Sequence, residues 1–374
     1  MKRLYILFVL LIAVAMMVGA CQPAAAPAAE EPAAEEAPME EAPAEEAPAE
    51  EAPMVEGLSF AMVTDEAGLG DEGFNDAAWE GMTQSEAEFG AEIKVVESRE
   101  QAEYVPNFSM LAEQEEDLIV AVGFLLQAAV AEVAPQYPDA RFALVDTCTD
   151  EPNVACIQFK EEEGSFLVGA IAGLMTETGK VGFVGGRESD LLKKFESGYK
   201  AGVMTTNPNA EVLVSYTGTF ADPALGKEMA NAQYDQSADV VYEVAGLTGT
   251  GVIEAAKERN LMVIAVDRDK NYLAPDNVIT SMLKDVGRGV YEVGKMVATD
   301  TFEGGEYRYG VKEGGIGFST TGDFCPPEVF ATAESLKQMI IDGSLMVPKT
   351  LDEFDAFTAP DLGDMAAGGE MAFV

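Results

Sequence analysis

From Gly57 onward, apolar and polar residues follow the pattern of alternating strands and helices. Short runs rich in Val, Ile and Phe predict strands at 58–64, 92–97, 117–122, 140–145, 179–185, 211–216, 238–244, 261–266 and 278–283. Segments long enough for one helix lie between most of these runs, including 75–90, 125–136, 188–204, 222–236 and 250–259. Such βαβ units predict an α/β protein whose parallel sheets carry helices on both faces.

The length of this region indicates more than one core. About 300 residues follow Gly57, which is more than a single hydrophobic core usually serves. Two successive sets of βαβ units therefore predict two doubly wound lobes with a cleft between them. In such sheets, ligands bind beyond the carboxyl ends of the strands.

Three aspartates stand at predicted strand ends. Asp65 follows FAMVT, Asp146 follows RFALV and Asp267 follows MVIAV. A single Asp at such a place is commonly a turn or helix-capping residue. Three at equivalent ends favour a second interpretation, in which the carboxylates face the cleft and accept hydrogen bonds from the hydroxyls or amines of a sugar or nucleoside.

Two aromatic residues lie outside the periodic apolar runs. Phe74 follows the loop GLGDEG, and Phe220 precedes the helical segment DPALGKEMA. One interpretation is that both pack in the core. The other is that they face each other across the cleft and form a slot for a planar ring, where stacking contributes roughly 1–3 kcal/mol per base.

Two glycine-rich segments are interpreted as turns. GLTGTG at 246–251 lacks the Gly-Lys-Ser/Thr ending of a P-loop and the spacing of GxGxxG. We therefore expect a tight turn with close ligand approach there, rather than a phosphate site. GVKEGGIG at 310–317 is expected to be a turn between short strands.

The first residues have the layout of an export signal. Lys2 and Arg3 precede an uncharged run at 4–20, and small residues lead to Cys21. The run is about 17 residues long, at the lower limit of a membrane span, so a transmembrane anchor is the alternative. The ending at Cys21 resembles the lipobox of bacterial lipoproteins. This resemblance implies removal of 1–20 and acylation of Cys21, which would hold the chain on the extracytoplasmic face of the cell membrane.

Residues 22–56 predict an extended, solvated tether. They consist almost entirely of Ala, Pro and Glu in a repeat of five residues, and they hold eleven of the 66 acidic residues. Regular Pro and paired Glu oppose a long helix. The formal net charge of the chain is −43, and most of it belongs to the residues after the tether. This charge argues against nucleic acid or anionic lipid as a binding partner.

The chain has four cysteines and no histidine. In an oxidising compartment, Cys148 and Cys156 either form a disulfide or remain two free thiols, and Cys325 stands alone. Without histidine, the chain lacks the commonest general base and metal ligand. We therefore expect no catalytic activity, no cofactor and no metal.

Five segments carry a recognisable pattern in order: VTDEAGLGDEGFNDAAWEGM (63–82), GTFADPALGKEMA (218–230), VYEVAGLTGTGVIEAA (241–256), AVDRDKN (265–271) and TSMLKDVG (280–287). Together they resemble the basic membrane protein family of bacterial substrate-binding lipoproteins, whose best-understood members bind purine nucleosides for ABC transporters. The resemblance implies the type I periplasmic-binding-protein fold, in which two Rossmann-like lobes are joined by three crossings. The expected lobes are 57–160 plus 285–305 and 161–284 plus 306–348, followed by a C-terminal tail at 349–374.

The resemblance also implies a set of ligand contacts: Asp65, Phe74, Asn75, Asp146, Phe220, Gly246, Asp267 and Lys284. Phe74 and Phe220 would cover the two faces of the base, and Asp146 would accept hydrogen bonds from its edge. Asp267 would accept from the 2′ and 3′ hydroxyls of the ribose. Lys284 would donate to a sugar oxygen and pair with the Asp267 carboxylate.

Two places depart from the family pattern. The segment 187–190, Arg-Glu-Ser-Asp, replaces a usually apolar, proline-containing segment at the cleft rim. Ligand access or hinge motion is therefore expected to differ from that of relatives. Glu66 stands after Asp65, where relatives often have a smaller polar residue, and it is expected either to favour a donor-rich ligand or to point to solvent.

These patterns predict a monomeric extracytoplasmic lipoprotein that captures a purine nucleoside by lobe closure and delivers it to a membrane permease. The alternatives are a ligand-sensing ectodomain of the same fold, a carrier of another ligand such as riboflavin or a sugar, and a hydrolase that uses the Asp residues. A permease and an ATPase encoded nearby would favour transport over sensing. Release of free base from a nucleoside would indicate the hydrolase.

Overall fold

The computed structural model describes residues 54–322 and 324–363. The predicted export signal, Cys21, residues 22–53 of the tether and residues 364–374 of the tail lie outside the described residues. Within the described part of the chain, no helix combines the length and apolar character needed to cross a membrane.

The strands alternate with helices along the chain. The strands are β1 (Ser59–Thr64), β2 (Glu92–Glu97), β3 (Leu118–Ala121), β4 (Phe142–Val145), β5 (Val154–Phe159), β6 (Lys180–Gly185), β7 (Glu211–Tyr216), β8 (Val240–Val244), β9 (Met262–Asp267), β10 (Val278–Lys284), β11 (Gly305–Tyr309) and β12 (Ile316–Phe318). The helices are α1 (Phe74–Phe89), α2 (Tyr104–Glu113), α3 (Gln127–Val133), α4 (Glu161–Met175), α5 (Asp190–Thr206), α6 (Pro223–Asp235), α7 (Leu247–Arg259), α8 (Val286–Ala298), α9 (Pro327–Ile341) and α10 (Leu351–Asp355).

The strands form two sheets of six, and each sheet is the centre of one lobe. The first sheet has the order β11-β5-β4-β3-β1-β2, and all of its neighbouring strands are parallel. The second has the order β12-β10-β9-β8-β6-β7, with only β12 antiparallel to its neighbour. Both sheets reverse their strand order once, next to β1 and next to β6. The predicted pair of doubly wound α/β lobes is confirmed.

The apolar runs in the sequence correspond to the sheet interiors. β3 and β4 are buried at every residue, as expected for parallel strands covered on both faces. All nine predicted strands are present, with ends shifted by at most two residues. β11 was not predicted because it is an edge strand whose sequence, GEYRY, is mostly exposed and has no apolar period.

The chain passes between the sheets three times. The first passage follows Phe159, and the second follows Lys284, after which α8 packs against α1 of the first lobe. The third follows Tyr309, because β11 pairs in parallel with β5 of the first sheet and β12 belongs to the second. The lobe boundary expected at 305/306 would assign most of β11 to the second lobe. Because β11 pairs with β5 of the first sheet, the boundary lies after Tyr309 instead. The turn expected at 310–317 connects β11 to β12 and is thus this third passage.

The glycine-rich segment 246–251 differs from its prediction. Only Gly246, at φ 57°, makes a turn, and α7 begins at the next residue. A Cβ added to Gly249 would lie 1.9 Å from Glu243 Oε2, and one added to Gly251 would lie 1.8 Å from the Pro223 carbonyl oxygen. The glycines are therefore required for close packing of the helix rather than for a longer turn.

Cys148 and Cys156 form a disulfide in the structure, with their Cα atoms 5.0 Å apart. It joins the loop after β4 to β5. Cys325 is a buried free thiol.

Candidate ligand-binding site

A cavity with an empty volume of about 520 Å³ lies between the carboxyl ends of the two sheets. Residues directly after β1, β3 and β4 line it from the first lobe, and the ends of β8, β9 and β10 line it from the second. The strand order of each sheet reverses at this place, so the loops diverge and leave room for a ligand.

The eight residues named from the sequence all line this cavity: Asp65, Phe74, Asn75, Asp146, Phe220, Gly246, Asp267 and Lys284. Sequence reasoning did not identify several others that share it, among them Asp71, Gly123, Phe124, Leu191, Leu192 and Phe195. A signal existed for Gly123 and Phe124, since they follow directly after the apolar run at 117–122. The α5 residues carried no such signal, because an apolar helix face looks the same whether it covers a core or a cavity.

Asp65 and Asn75 form one hydrogen-bonded group. Asp65 Oδ1 accepts from the Asn75 side-chain amide at 3.0 Å and from the Ala67 N–H at 3.1 Å. Burial raises the pKa of Asp65 to about 6, although these two hydrogen bonds oppose the rise. Asn75 donates from its amide nitrogen to the carboxylates of Asp65 and Asp71, and its buried Oδ1 has no hydrogen-bond partner in the described structure.

Asp71 organises the loop that precedes α1. Its side chain is fully buried, and its two oxygens accept from the backbone N–H groups of Gly73, Asn75 and Asp76 at 2.9–3.2 Å. The Asn75 amide adds a fourth hydrogen bond at 3.3 Å. Asp71 therefore fixes the helix start that presents Phe74 and Asn75 to the cavity.

Lys284 pairs with Asp146 across the two lobes. Its Nζ lies 2.6 Å from Asp146 Oδ1 and 3.5 Å from Glu161 Oε1, and all three side chains are buried. Burial alone would lower the pKa of Lys284, but the neighbouring carboxylates raise it above its usual value. Burial raises the pKa of Asp146 to about 6, partly offset by Lys284.

The expected ion pair between Lys284 and Asp267 is absent from the described residues, and that prediction is corrected. In the pairing of β9 with β10, Asp267 lies opposite Leu283. Lys284 pairs with Asp146 instead, although it lies close enough for its charge to lower the pKa of Asp267.

Asp267 presents a carboxylate that accepts no hydrogen bond from the described residues, although its exposed fraction is only 8%. Burial raises its pKa to about 6, against the attraction of Lys284 and Lys270. Lys270 is itself occupied by Glu243 at 2.9 Å, in a pair with no exposed surface. The Asp267 carboxylate is therefore available to a donor within the cavity.

Asp146 and Asp267 also share an unusual backbone conformation. Their φ angles are 74° and 68°, in the left-handed region that non-glycine residues other than Asn and Asp seldom adopt. Both residues end a strand, one in each lobe. The matched conformation stops each strand at the point where its carboxylate reaches the cavity.

Aromatic rings form part of the cavity wall. Phe124 packs edge-on against Phe220, with ring centroids 6.2 Å apart. Phe220 also covers Gly186, where an added Cβ would lie 2.2 Å from its Cε1 atom. Phe74 covers Gly123, and the Lys284 ammonium lies 5.0 Å from the Phe74 ring centroid. Leu191, Leu192 and Phe195 of α5 make the rest of the wall apolar.

Glu66 does not appear in the cavity lining, and its side chain is only 13% exposed, so the alternative in which it points to solvent is wrong. It accepts from Arg187 Nε at 3.1 Å and from an Arg187 terminal nitrogen at 2.6 Å. The two departures noted in the sequence are therefore partners, which join the end of β1 to the loop after β6. Their separation of 121 positions in the sequence concealed this relationship.

No group of three or more Asp, Glu or Cys side chains within residues 54–322 and 324–363 is placed to hold a metal ion. The cavity instead combines acceptor oxygens with aromatic and aliphatic walls. Two doubly wound lobes with such a cleft define the class of solute-binding proteins of the type I periplasmic fold.

Comparison with known proteins identifies the family. The family model described as ABC transporter substrate-binding protein PnrA-like matches residues 58–350. The CD4+ T-cell-stimulating antigen of Listeria monocytogenes is 37% identical over 312 residues, covering 77% of this chain and 87% of that protein. The ABC transporter nucleoside-binding protein BmpA of Lactococcus lactis is 33% identical over 314 residues, covering 78% and 89%.

A solved structure of an ABC transporter solute-binding protein from Aeropyrum pernix K1 has a TM-score of 0.74 and 30% identity. The similarity covers 83% of this chain and 98% of that one. The chain belongs to the Bmp family of ABC transporter substrate-binding proteins, as its sequence motifs predicted. Its role in that family requires a small-molecule ligand and a permease partner.

Proposed function

We propose that this protein captures a purine nucleoside in the cavity between its lobes and delivers it to the permease of an ABC transporter. The observation that carries the proposal is the joint presence of buried carboxylates from both lobes and aromatic side chains around one cavity. Carboxylates accept hydrogen bonds from hydroxyl and amino groups, and aromatic walls favour a flat ring. A purine nucleoside offers both in one molecule.

The sugar is assigned to Asp267. Its carboxylate accepts no hydrogen bond from the described residues, and it is held in a fixed backbone conformation at the end of β9. Two neighbouring hydroxyls of a ribose would satisfy its two oxygens. Gly246 follows the adjacent strand β8 and allows the sugar to approach the backbone.

The base is assigned to the first lobe and to Phe220. Asp65 and Asp146 would accept from the amino and ring N–H groups, and Asn75 Oδ1 offers a further acceptor. Phe74 and Phe220 line the same cavity and would cover the ring faces. Four carboxylates and a lysine already paired with Asp146 oppose a phosphate, which favours a nucleoside over a nucleotide.

Delivery at the membrane rests on the N-terminal segment. Acylation of Cys21 would anchor the chain to the extracytoplasmic face of the cell membrane, and the acidic tether at 22–56 would let the binding domain reach its permease. We expect the Cys21→Ala protein to be released into the medium. Recovery of that variant in the membrane fraction would contradict the lipid anchor.

A thermal-shift screen of the chain from Gln22 onward tests the ligand class. The panel contains adenosine, guanosine, inosine, uridine, ribose, guanosine monophosphate and riboflavin. The proposal predicts the largest increases in Tm with the purine nucleosides and little change with the monophosphate or ribose. An increase with riboflavin alone would exclude purine nucleosides in favour of that vitamin. Incubation with inosine should yield no free hypoxanthine, because we propose no catalysis.

A further inference from the structure

Glu66 joins the two lobes at the edge of the cavity through a single carboxylate. It follows Asp65 in the first lobe, and within the described residues every group that donates to its carboxylate belongs to the second lobe. Arg187 contacts both of its oxygens at 2.6 and 3.1 Å. The Thr219 hydroxyl and the Phe220 N–H each donate to Oε1 at 3.2 Å.

The Glu66 carboxylate is ionised near neutral pH. Its side chain is 13% exposed, and that of Arg187 is 36% exposed. Burial alone would raise the pKa of Glu66, but the hydrogen bonds from Arg187 and Phe220 lower it below its usual value. Hydrogen bonds to an ionised group in such a partly dry place are stronger than those at an open surface.

The buried pair of Lys284 and Asp146 also joins the lobes, but it lies directly before the second passage of the chain between them. Two contacts farther from that passage are more exposed than Glu66. Arg268 pairs with Glu80, whose side chains are 33% and 61% exposed. Tyr272 donates to Glu72, and the tyrosine is 59% exposed. Exposed pairs of this kind contribute little to an equilibrium because water and salt screen them. Glu66 is therefore the carboxylate best placed to influence closure of the lobes.

Glu66 also holds an aromatic wall of the cavity. Its hydrogen bond to the Phe220 N–H fixes the backbone of the residue whose ring packs against Gly186 and Phe124. The same carboxylate thus contacts Arg187 at the edge of the cavity and the backbone of Phe220, which holds the ring in place. Separation of the lobes would break the two contacts together.

We propose that Glu66 is a positioning residue that, with Arg187, latches the closed lobes and sets Phe220 for the ligand. The proposal rests on ligand capture by lobe closure, as proposed above, and it names the pair that determines how long a bound ligand stays. Neither Glu66 nor Arg187 lines the cavity, so the latch acts through closure and through Phe220.

Closure can be measured without any ligand. In the chain from Gln22 onward, spin labels at Ala87→Cys in α1 and Ala232→Cys in α6 lie on exposed positions of opposite lobes, and Cys325→Ala removes the free thiol found among the described residues. Electron–electron double resonance then reports the distance between lobes. We expect Glu66→Gln to lower the ratio of closed to open molecules by about tenfold, the effect of losing hydrogen bonds to a charged group. Glu80→Gln, which neutralises the more exposed pair, should change the ratio by less than about fivefold.

Ligand release gives a second readout. Tritiated adenosine, chased with excess unlabelled adenosine, should dissociate about tenfold faster from Glu66→Gln and from Arg187→Met. The double variant should resemble the faster single variant, because both changes break one contact. Arg187→Lys keeps a charge without the bidentate geometry and should recover part of the loss.

Two outcomes would overturn the latch. One is an unchanged distance distribution in both Glu66→Gln and Arg187→Met. The other is a double variant whose dissociation rate is the product of the two single effects, which would show that the residues act separately. Failure of every nucleoside to bind would overturn the proposed ligand instead, since the distance measurement contains no ligand.

Discussion

Lys284 and Asp146 form a buried ion pair, 2.6 Å long, that connects the end of β10 in the second lobe to the end of β4 in the first. Lys284 is also 3.5 Å from the fully buried Glu161. The second passage of the chain between lobes begins at the next residue. The pair therefore lies at the hinge side of the cavity, where the single Lys284 ammonium offsets part of the charge of Asp146 and Glu161.

Lys284→Met should destabilise the protein strongly. It leaves Asp146 and Glu161 without their shared cation, and removal of one partner from a buried pair costs about 3–5 kcal/mol. Urea denaturation followed by circular dichroism measures the loss. Lys194→Met is the matched control, because Lys194 contacts the other oxygen of Glu161 but is 32% exposed, so its loss should cost about 1 kcal/mol or less. Equal stability of Lys284→Met and wild type would contradict this role.

Asp267→Asn should lower ligand affinity without lowering the stability of the fold. The carboxylate accepts no hydrogen bond from the described residues, so the fold does not need it, whereas the proposed ribose does. We expect guanosine affinity, measured by calorimetry, to fall by about 1.5–3 kcal/mol for each hydrogen bond lost. Unchanged affinity would refute the assignment of the ribose to this residue.

The stability of Asp267→Asn should equal or exceed that of wild type at pH 7.5. The pKa of Asp267 is raised to about 6 in the folded protein, so its ionised form is disfavoured there relative to the unfolded chain. The resulting loss of stability is absent below the ordinary pKa of 3.8. It increases as the pH rises from there and is complete above the folded-state pKa of about 6. Asp71→Asn provides the contrast, since its amide keeps only one acceptor oxygen and therefore loses two of the four hydrogen bonds, which should destabilise the protein by at least about 1 kcal/mol.

Ligand affinity should fall as the pH decreases from 7.5 to 5. Asp65, Asp146 and Asp267 each have a pKa of about 6. At pH 5 a carboxyl group with that pKa is roughly nine-tenths protonated, so each ionised acceptor that the ligand requires lowers the affinity about tenfold. Guanosine titrations across this range measure the effect. An affinity that is constant with pH would exclude ionised carboxylates as required acceptors.

Gly186→Ala should weaken binding although it removes no group from the site. The added Cβ would lie 2.2 Å from Phe220 Cε1, so the ring must move from its place. Loss of the stacking position should cost up to about 1–3 kcal/mol of affinity. Gly317→Ala, which meets nothing within 4 Å, is the control and should bind as wild type does. Identical affinity of the two variants would show that Phe220 does not position the base.

The strand-end aspartates could be found from the linear pattern alone. Parallel strands bring their carboxyl ends to one edge of a sheet, so residues such as Asp65, Asp146 and Asp267 meet once the fold is inferred. Phe74 and Phe220 could be found because they are aromatic residues that lie outside the periodic apolar runs. Each of these features can be recognised from a short stretch of sequence, and the fold then brings the residues together around one cavity.

The pairing of charges could not be predicted in this way. Lys284 pairs with Asp146 of the other lobe rather than with Asp267 of the adjacent strand, and this choice depends on how the two lobes come together. Glu66 meets Arg187 only because the lobes approach each other at the rim. The helical start of the segment 246–251 depends on packing against Glu243 and Pro223, which overrides the weak helix propensity of glycine.

Calorimetric titration of the chain from Gln22 onward with guanosine, at pH 7.5 and after unfolding and refolding to remove bound ligand, tests purine nucleoside capture most directly. Uridine and riboflavin serve as comparison ligands, and Asp267→Asn serves as the comparison protein. We expect saturable binding of guanosine, weaker binding of uridine and a large loss of guanosine affinity in Asp267→Asn. Binding of riboflavin with no heat from guanosine would contradict purine nucleoside capture.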